Sequence, residues 1–252
     1  MAHATAPVVL VHGNPETAAV WDRLAPHLPE PPIRLSPPGF GAPVPDGFLP
    51  TVDGYRTWLI GALEAVGKPV HLVGHDWGGG HVVNVALSRP DLLVSWATDV
   101  IGVFDPDYEW HPLAQIWQRE GDGERWVAEH LAKLPAERAE LMTARGADPA
   151  IALRIAEAFD ATMGACILAL YRDAAQPALA RLGAHLDAAA ARPGLAVLAE
   201  QDVNVGTPEQ HRRAAARAGA RTAALPGLGH WWLAQGDGRA GAEALLGFWA
   251  EL

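Results

Sequence analysis

The sequence predicts an α/β protein: a doubly wound, mostly parallel sheet with an inserted helical cap. Three observations point to it. Short apolar, branched runs alternate with helical patterns up to residue 103 and again from residue 187. Residues 104–186 between them carry helical patterns and no convincing strand. The third apolar run ends in Gly74-His75-Asp76-Trp77-Gly78, a glycine-flanked turn where a strand feeds a helix.

Taken in order, residues 7–11 form a buried strand leading into His12-Gly13-Asn14-Pro15-Glu16. A loop of this kind after a strand is where α/β proteins place ligand-binding backbone. Residues 21–28 suggest a short helix and residues 33–36 a second strand, closed by the breaker-rich loop Pro37-Pro38-Gly39-Phe40-Gly41. Residues 53–66 have helical periodicity, with Tyr55, Trp58, Leu59, Leu63 and Val66 on or near one face. The strand at 70–73 precedes a helix to about residue 88, and residues 92–98 form another buried strand ending at Asp99. Within 104–186, Gly146-Ala147-Asp148-Pro149 marks a helix break. The strand pattern returns at 195–199, a helix follows at 208–218, then a strand at 222–225 and a final helix at 239–251. The expected organisation is a core of 1–103 and 187–252 with a cap of 104–186.

Composition narrows the function classes. With half of its 252 residues hydrophobic, the chain can bury a large core. A net charge of −10 with dispersed basic residues argues against nucleic acid or an anionic membrane as partner. Cys166 is the one cysteine, so neither an internal disulfide nor a cysteine metal cluster is expected. The N-terminal residues lack a charged region followed by a long apolar run, so neither a signal peptide nor a membrane span is expected, and the expected location is cytoplasmic.

The turn at Gly74–Gly78 has the spacing G-x-D-x-G, the nucleophile-elbow pattern with an aspartate where a serine would stand. Glycines are needed because side chains on either side of so sharp a turn collide. Over five residues alone, a plain strand-to-helix turn with Asp76 as its N-cap reads the same way. Two further residues distinguish them. Asp202, in Ala199-Glu200-Gln201-Asp202-Val203, and His230, in Pro226-Gly227-Leu228-Gly229-His230-Trp231, also follow predicted strands. The order nucleophile, acid, histidine suits this architecture, and strand C-terminal ends open on one edge of a parallel sheet.

A carboxylate nucleophile suits displacement at saturated carbon. It leaves an ester, which water can cleave, whereas a serine would leave an ether. Asp76 is ionised near neutrality unaided. His230, oriented by Asp202, would then deprotonate the water that cleaves the ester. The backbone N–H groups of Asn14 and Trp77 are the natural oxyanion donors. The serines, Ser36, Ser88 and Ser95, all lie away from the elbow, which disfavours an ordinary serine esterase.

These residues resemble the α/β-hydrolase superfamily and, within it, the epoxide hydrolase and haloalkane dehalogenase branch. The carriers are His12-Gly13-Asn14-Pro15-Glu16, Gly74-His75-Asp76-Trp77-Gly78-Gly79, and the surroundings of Asp202 and His230. The resemblance implies the α/β-hydrolase fold, no cofactor, no metal, a small apolar organic substrate and water as co-substrate. For an epoxide it implies cap tyrosines that protonate the departing oxygen: Leu170-Tyr171-Arg172 resembles the second of such a pair, with Tyr108 as the other candidate. For a halide it implies N–H donors, to which Asn14 and Trp77 are similar, and Trp117 or Trp110 could add one from a substrate pocket. Asp99 resembles an alternative acid position of some dehalogenases. His12, His75 and His81 are expected to shape backbone, and Cys166 to pack in the cap. Epoxide hydrolysis to a diol is the first expectation, dehalogenation the second, and a non-catalytic ligand-binding protein the third.

Overall fold

The computed structural model describes residues 6–252; the expectation about a signal segment falls partly on residues 1–5, which lie outside the described residues. Six strands form one parallel sheet: β1 (Val8–Val11), β2 (Ile33–Leu35), β3 (Val70–Gly74), β4 (Leu93–Thr98), β5 (Gly194–Ala199) and β6 (Ala220–Leu225), in the order β2-β1-β3-β4-β5-β6. The chain runs from β1 outward to β2, then returns to place β3 on the other side of β1. The strand order therefore reverses between β1 and β3, and the loops leaving those two strands part there to form a crevice.

The inner strands are apolar because both faces are covered. Alternate residues feed two cores: Val9, Val11, Leu72 and Trp96 pack on one side, and Leu10, Val73, Ala97 and Leu195 on the other. The first side holds α1 (Val52–Val66) and α2 (Trp77–Ser88). Thr51 caps α1 by accepting from Gly54 N, and Gly67 ends it at φ 75°. The edge strand β2 is largely exposed.

Between β4 and β5 the described residues form helices only: α3 (Pro112–Gln118), α4 (Asp122–Ala132), α5 (Pro135–Thr143), α6 (Pro149–Ala158), α7 (Ala161–Asp173) and α8 (Ala178–Gly183). Proline opens α3, α5 and α6, where its missing N–H costs nothing. The expected break at 146–149 falls between α5 and α6. Arg23 pairs with Asp148 at 2.6 Å, Arg154 pairs with Asp22, and Val52 N donates to Asp173, so polar ties join the helical insertion to the sheet side. α9 (Pro208–Arg217) and α10 (Arg239–Ala250) complete the fold. Among the described residues, no helix is long and apolar enough to cross a membrane.

One element differs from expectation. Residues 21–28 do not form one helix. They lie in two short 3-10 turns, Ala18–Trp21 and Ala25–His27, because Pro26 and Pro29 remove the donors a continuous helix needs.

Candidate active site

Asp76 joins β3 to α2 at φ 51°, ψ −130°, the one non-glycine residue at positive φ among those described. Such backbone costs about 1–3 kcal/mol and persists only where its surroundings enforce it. They do so by proximity. A Cβ on Gly74 would lie 2.4 Å from Gly78 O, and one on Gly78 would lie 2.1 Å from Val11 O. The side chain of Asp76 does not cap its helix, so the plain N-cap alternative does not hold. Its carboxylate stands instead in the β1/β3 crevice, where Oδ1 accepts from Asn14 N at 2.9 Å. A Cβ on Gly13 would sit 2.1 Å from that oxygen, so the loop after β1 needs glycine to admit the carboxylate.

Asp202, after β5, and His230, in the loop after β6, meet Asp76 as their order suggested. His230 Nδ1 is 2.8 Å from Asp202 Oδ2, and its Nε2 is 3.8 Å from Asp76 Oδ2. Asp202 Oδ1 accepts from Asn204 N, which fixes the carboxylate. Burial pushes the Asp76 carboxyl up to about 6, against the pull of His230. Burial would lower the His230 imidazole, but Asp202 and Asp76 outweigh it and hold it up at about 9. Burial would likewise raise Asp202, and His230 overrides it to keep Asp202 low. The pair Asp76 and His230 is therefore an ion pair near neutrality.

Asp99 is not brought to His230. Its Oδ2 lies 2.5 Å from His75 Nδ1 and accepts from Trp232 Nε1 at 2.7 Å, and its Oδ1 accepts from Asp76 N at 3.0 Å. It is a bracket for the elbow, since β4 ends one strand nearer the elbow than β5 does. On the other edge of His75, Nε2 is 3.1 Å from Glu16 Oε1, which also accepts from Trp231 Nε1 at 2.7 Å. All three polar residues are fully or almost fully buried. Burial opposes charge on His75, but Glu16 and Asp99 lift it well above its ordinary value. Burial would raise Glu16, and the His75 charge brings it down to about 2. A buried carboxylate–imidazolium–carboxylate row thus underlies the Asp76–His230 pair, the two imidazole rings 4.8 Å apart. Glu16 escaped the sequence reading as a site residue; the signal was its place in His-Gly-x-Pro-Glu. Glu16, His75 and His230 offer ligand atoms close enough together for a metal ion. Those atoms already hold one another, Asp202 and Trp231, which makes the set a poor donor cluster.

Above Asp76 lies a cavity of about 500 Å³ of free space, open in part to solvent. Asp76, Trp77, Tyr108, Trp110, His111 and Tyr171 line it, with Val103, Phe104 and Leu179 among its apolar walls. Tyr171, on α7, stands edge-on to Trp77 at 5.4 Å. Burial and the nearby Asp76 carboxylate raise its phenol well above the ordinary value, so it stays protonated. Tyr108 also lines the cavity, but its O–H donates to Asn204 O at 2.7 Å. Trp110 donates its indole N–H to Ala174 O at 3.3 Å. Trp117 is not in the lining; it packs behind Tyr171 at 4.7 Å with its Nε1 buried and unpartnered. The expected donor roles of Trp110 and Trp117 therefore lack geometry: one N–H is taken and the other is walled off. The side-chain amide of Asn14 is buried without a partner. His12 bonds to Ser36 Oγ, and His81 stacks on Tyr55 at 4.8 Å. Cys166 is buried in α7 against Gly39.

The sequence matches the family described as "Alpha/beta hydrolase family" over residues 8–242. Among curated proteins, Lipase LipV of Mycobacterium tuberculosis is 39% identical over 90 residues, 35% of this chain and 34% of the relative. An epoxide hydrolase of Caballeronia sordidicola is 38% identical over 91 residues, 33% of this chain and 27% of the relative. The matched stretch thus spans about a third or less of these relatives' own lengths. The solved structure of haloalkane dehalogenase DbeA from Bradyrhizobium elkani has the same fold, with a TM-score of 0.72 and 20% identity over 99% of this chain and 93% of that one.

Proposed function

We propose that this chain, which belongs to the alpha/beta hydrolase family, is a hydrolase acting at saturated carbon through an ester on Asp76, and that its substrate is a small apolar epoxide opened to a vicinal diol. One observation carries the proposal. A carboxylate occupies the strained elbow, with one oxygen on Asn14 N at 2.9 Å and the other 3.8 Å from a histidine backed by Asp202.

In the first step an Asp76 oxygen attacks a ring carbon. The ring C–O bond breaks and its electron pair goes to the departing oxygen, which receives the Tyr171 proton. The product is an Asp76 ester. This removes the anion that helps hold His230 protonated, so His230 releases its proton, which through solvent restores the Tyr171 phenol, and can act as a base. In the second step a water between His230 and the ester gives a proton to Nε2 and attacks the Asp76 carboxyl carbon. The oxyanion takes the Asn14 and Trp77 backbone N–H groups. Trp77 begins α2, and the first N–H groups of a helix lack intrahelical partners. Collapse expels the diol oxygen, which takes the proton from His230, and the Asp76 acid then gives its remaining proton to His230, restoring the ion pair. The helical insertion 104–186 acts as the cap that supplies Tyr171 and the apolar walls.

A second reading, dehalogenation, is favoured by one observation: the side-chain amide of Asn14, the residue whose backbone N–H holds Asp76, is buried and unpartnered. A panel of aryl and alkyl epoxides and of haloalkanes, scored for diol and for free halide, separates the two. Diol from epoxides is expected. Halide without diol overturns the epoxide assignment, and binding without turnover on both panels leaves a non-catalytic protein.

A further inference from the structure

Several polar groups of the cavity wall are committed to the protein. Tyr108 donates to Asn204 O, Trp110 donates to Ala174 O, and His111 Nδ1 accepts from Ala114 N at 3.2 Å. His81, on α2, is not so engaged. It lines the same cavity, is 1% exposed, and its Nε2 is buried with nothing to bond. Its polar neighbours are taken: the Tyr55 O–H donates to Pro38 O, and the two ring nitrogens of His12 face Gly13 O and Ser36 Oγ. Burial, helped by His12, pushes the His81 imidazole down to about 3, so it is neutral near pH 7. A neutral imidazole has one N–H to give and one lone pair to fill, and leaving them unpaired in the interior is costly. Tyr55 stacks on the ring, centroids 4.8 Å apart at 19°, and Trp77 packs beside it at 5.8 Å and 33°. What such a ring has left for the cavity is its edge, which carries the nitrogens.

Gly80 lies next to it in the lining. A Cβ there would meet Trp77 alone, at 3.6 Å, an ordinary contact, and its φ is not positive. Neither a clash nor strain demands glycine, and glycine inside a helix is unfavourable. We propose that Gly80 and His81 form a substrate subsite: the missing side chain bares the His81 edge, which hydrogen-bonds a neutral hydroxyl that the substrate carries away from its reactive carbon. A neutral ring compensates no charge, and an unpaired charge in so buried a place is expensive, which excludes a carboxylate or an ammonium group. A hydroxyl both donates and accepts, so it satisfies either tautomer. His81 follows Asp76 by five residues, about 7.5 Å along a helix axis, which sets roughly the distance from the attacked carbon to the hydroxyl. The subsite deepens the hydrolase reading and rests on it.

The test compares terminal epoxides whose chains end in a hydroxyl with matched chains that end in a methyl, over a series of rising length. The readout is the hydroxyl-to-methyl ratio of kcat/KM in wild type and in His81→Phe, which keeps an aromatic ring against Tyr55 and removes both nitrogens. Thermal melting reports the fold. Expected is a ratio that peaks at one chain length in wild type and falls about tenfold at that length in His81→Phe. A ring that only fills the core would change both substrates alike, so a ratio unchanged by the substitution at every length overturns the proposal. So does a wild-type ratio without a peak. Should His81→Phe not fold, Gly80→Ala decides, since its methyl covers the gap: loss of the peak supports the subsite, and a peak of wild-type height overturns it. Wild-type turnover of the epoxides with either overturning result removes the subsite alone. No turnover of any epoxide by wild type overturns the epoxide reading and the subsite with it.

Discussion

His230 Nε2 stands 3.8 Å from Asp76 Oδ2. That is too long for a direct hydrogen bond and short enough for strong electrostatic coupling. In the proposed reaction this spacing suits a two-step division of labour, in which Asp76 attacks first and His230 serves only the water that follows.

Replacing His230 with Gln is therefore expected to leave ester formation intact and stop its hydrolysis. Turnover falls roughly 10³-fold or more. Intact-protein and peptide mass spectrometry then find the substrate on Asp76. No adduct with any substrate that wild type turns over removes the covalent mechanism.

The raised carboxyl of Asp76 gives a pH limb with a definite sign. The nucleophile is the ionised form, and its value is about 6. Ester formation is expected to be flat above that value and to fall about tenfold per pH unit below it. Stopped-flow single-turnover rates from pH 4.5 to pH 8 would read this; a rate that rises on acidification rejects the assignment.

Gly13→Ala puts a methyl 2.1 Å from Asp76 Oδ1. The carboxylate must shift and lose its Asn14 N–H bond. We expect at least about 10²-fold lower kcat/KM, with circular dichroism like wild type. Full activity would mean that the carboxylate has room the structure does not give it.

His75→Ala strips the cation from two buried carboxylates, Glu16 and Asp99. Removing one partner from a buried ionic group costs about 3–5 kcal/mol, read as a lower urea midpoint. Because the folded His75 value lies above the unfolded one, its stabilisation is complete below about pH 6.5 and is lost as pH rises through the folded value. The gap between wild type and variant should be widest on the acid side of neutrality. Equal midpoints for the two proteins refute the ionic account.

Tyr171→Phe keeps the packing against Trp77 and Trp110 while removing the O–H. Ester formation from an epoxide should drop about 10²-fold, and hydrolysis of the ester should not change. Unaffected ester formation would take Tyr171 out of the ring-opening step.

Much of the fold was legible because burial leaves a periodic trace. Residues 70–73 are apolar without a break because β3 is covered on both faces, and residues 104–186 lack such runs because no strand lies there. Asp76, Asp202 and His230 were legible because each follows a strand, and parallel strands deliver their C-terminal ends to one edge. Hydrogen-bond allocation leaves no such trace. Tyr108 and Tyr171 look alike in sequence, yet Asn204 O accepts from the O–H of Tyr108 and not from that of Tyr171. His75 read as backbone shaping, but its two ring nitrogens bridge carboxylates that stand 59 and 24 residues away.

The sequence by itself determined the α/β architecture, the elbow and the choice of a carboxylate there, since these follow from local periodicity, glycine sterics and residue chemistry. Only the tertiary structure decided the partners. It sent Asp99 to His75 and Asp202 to His230, stacked a charged row beneath the Asp76–His230 pair, and left His111 facing the cavity with one nitrogen spoken for. The reason is physical. Partner choice depends on ångström differences among groups that converge from β1, β3, β4, β5 and the helical insertion, and no single segment of chain carries that information.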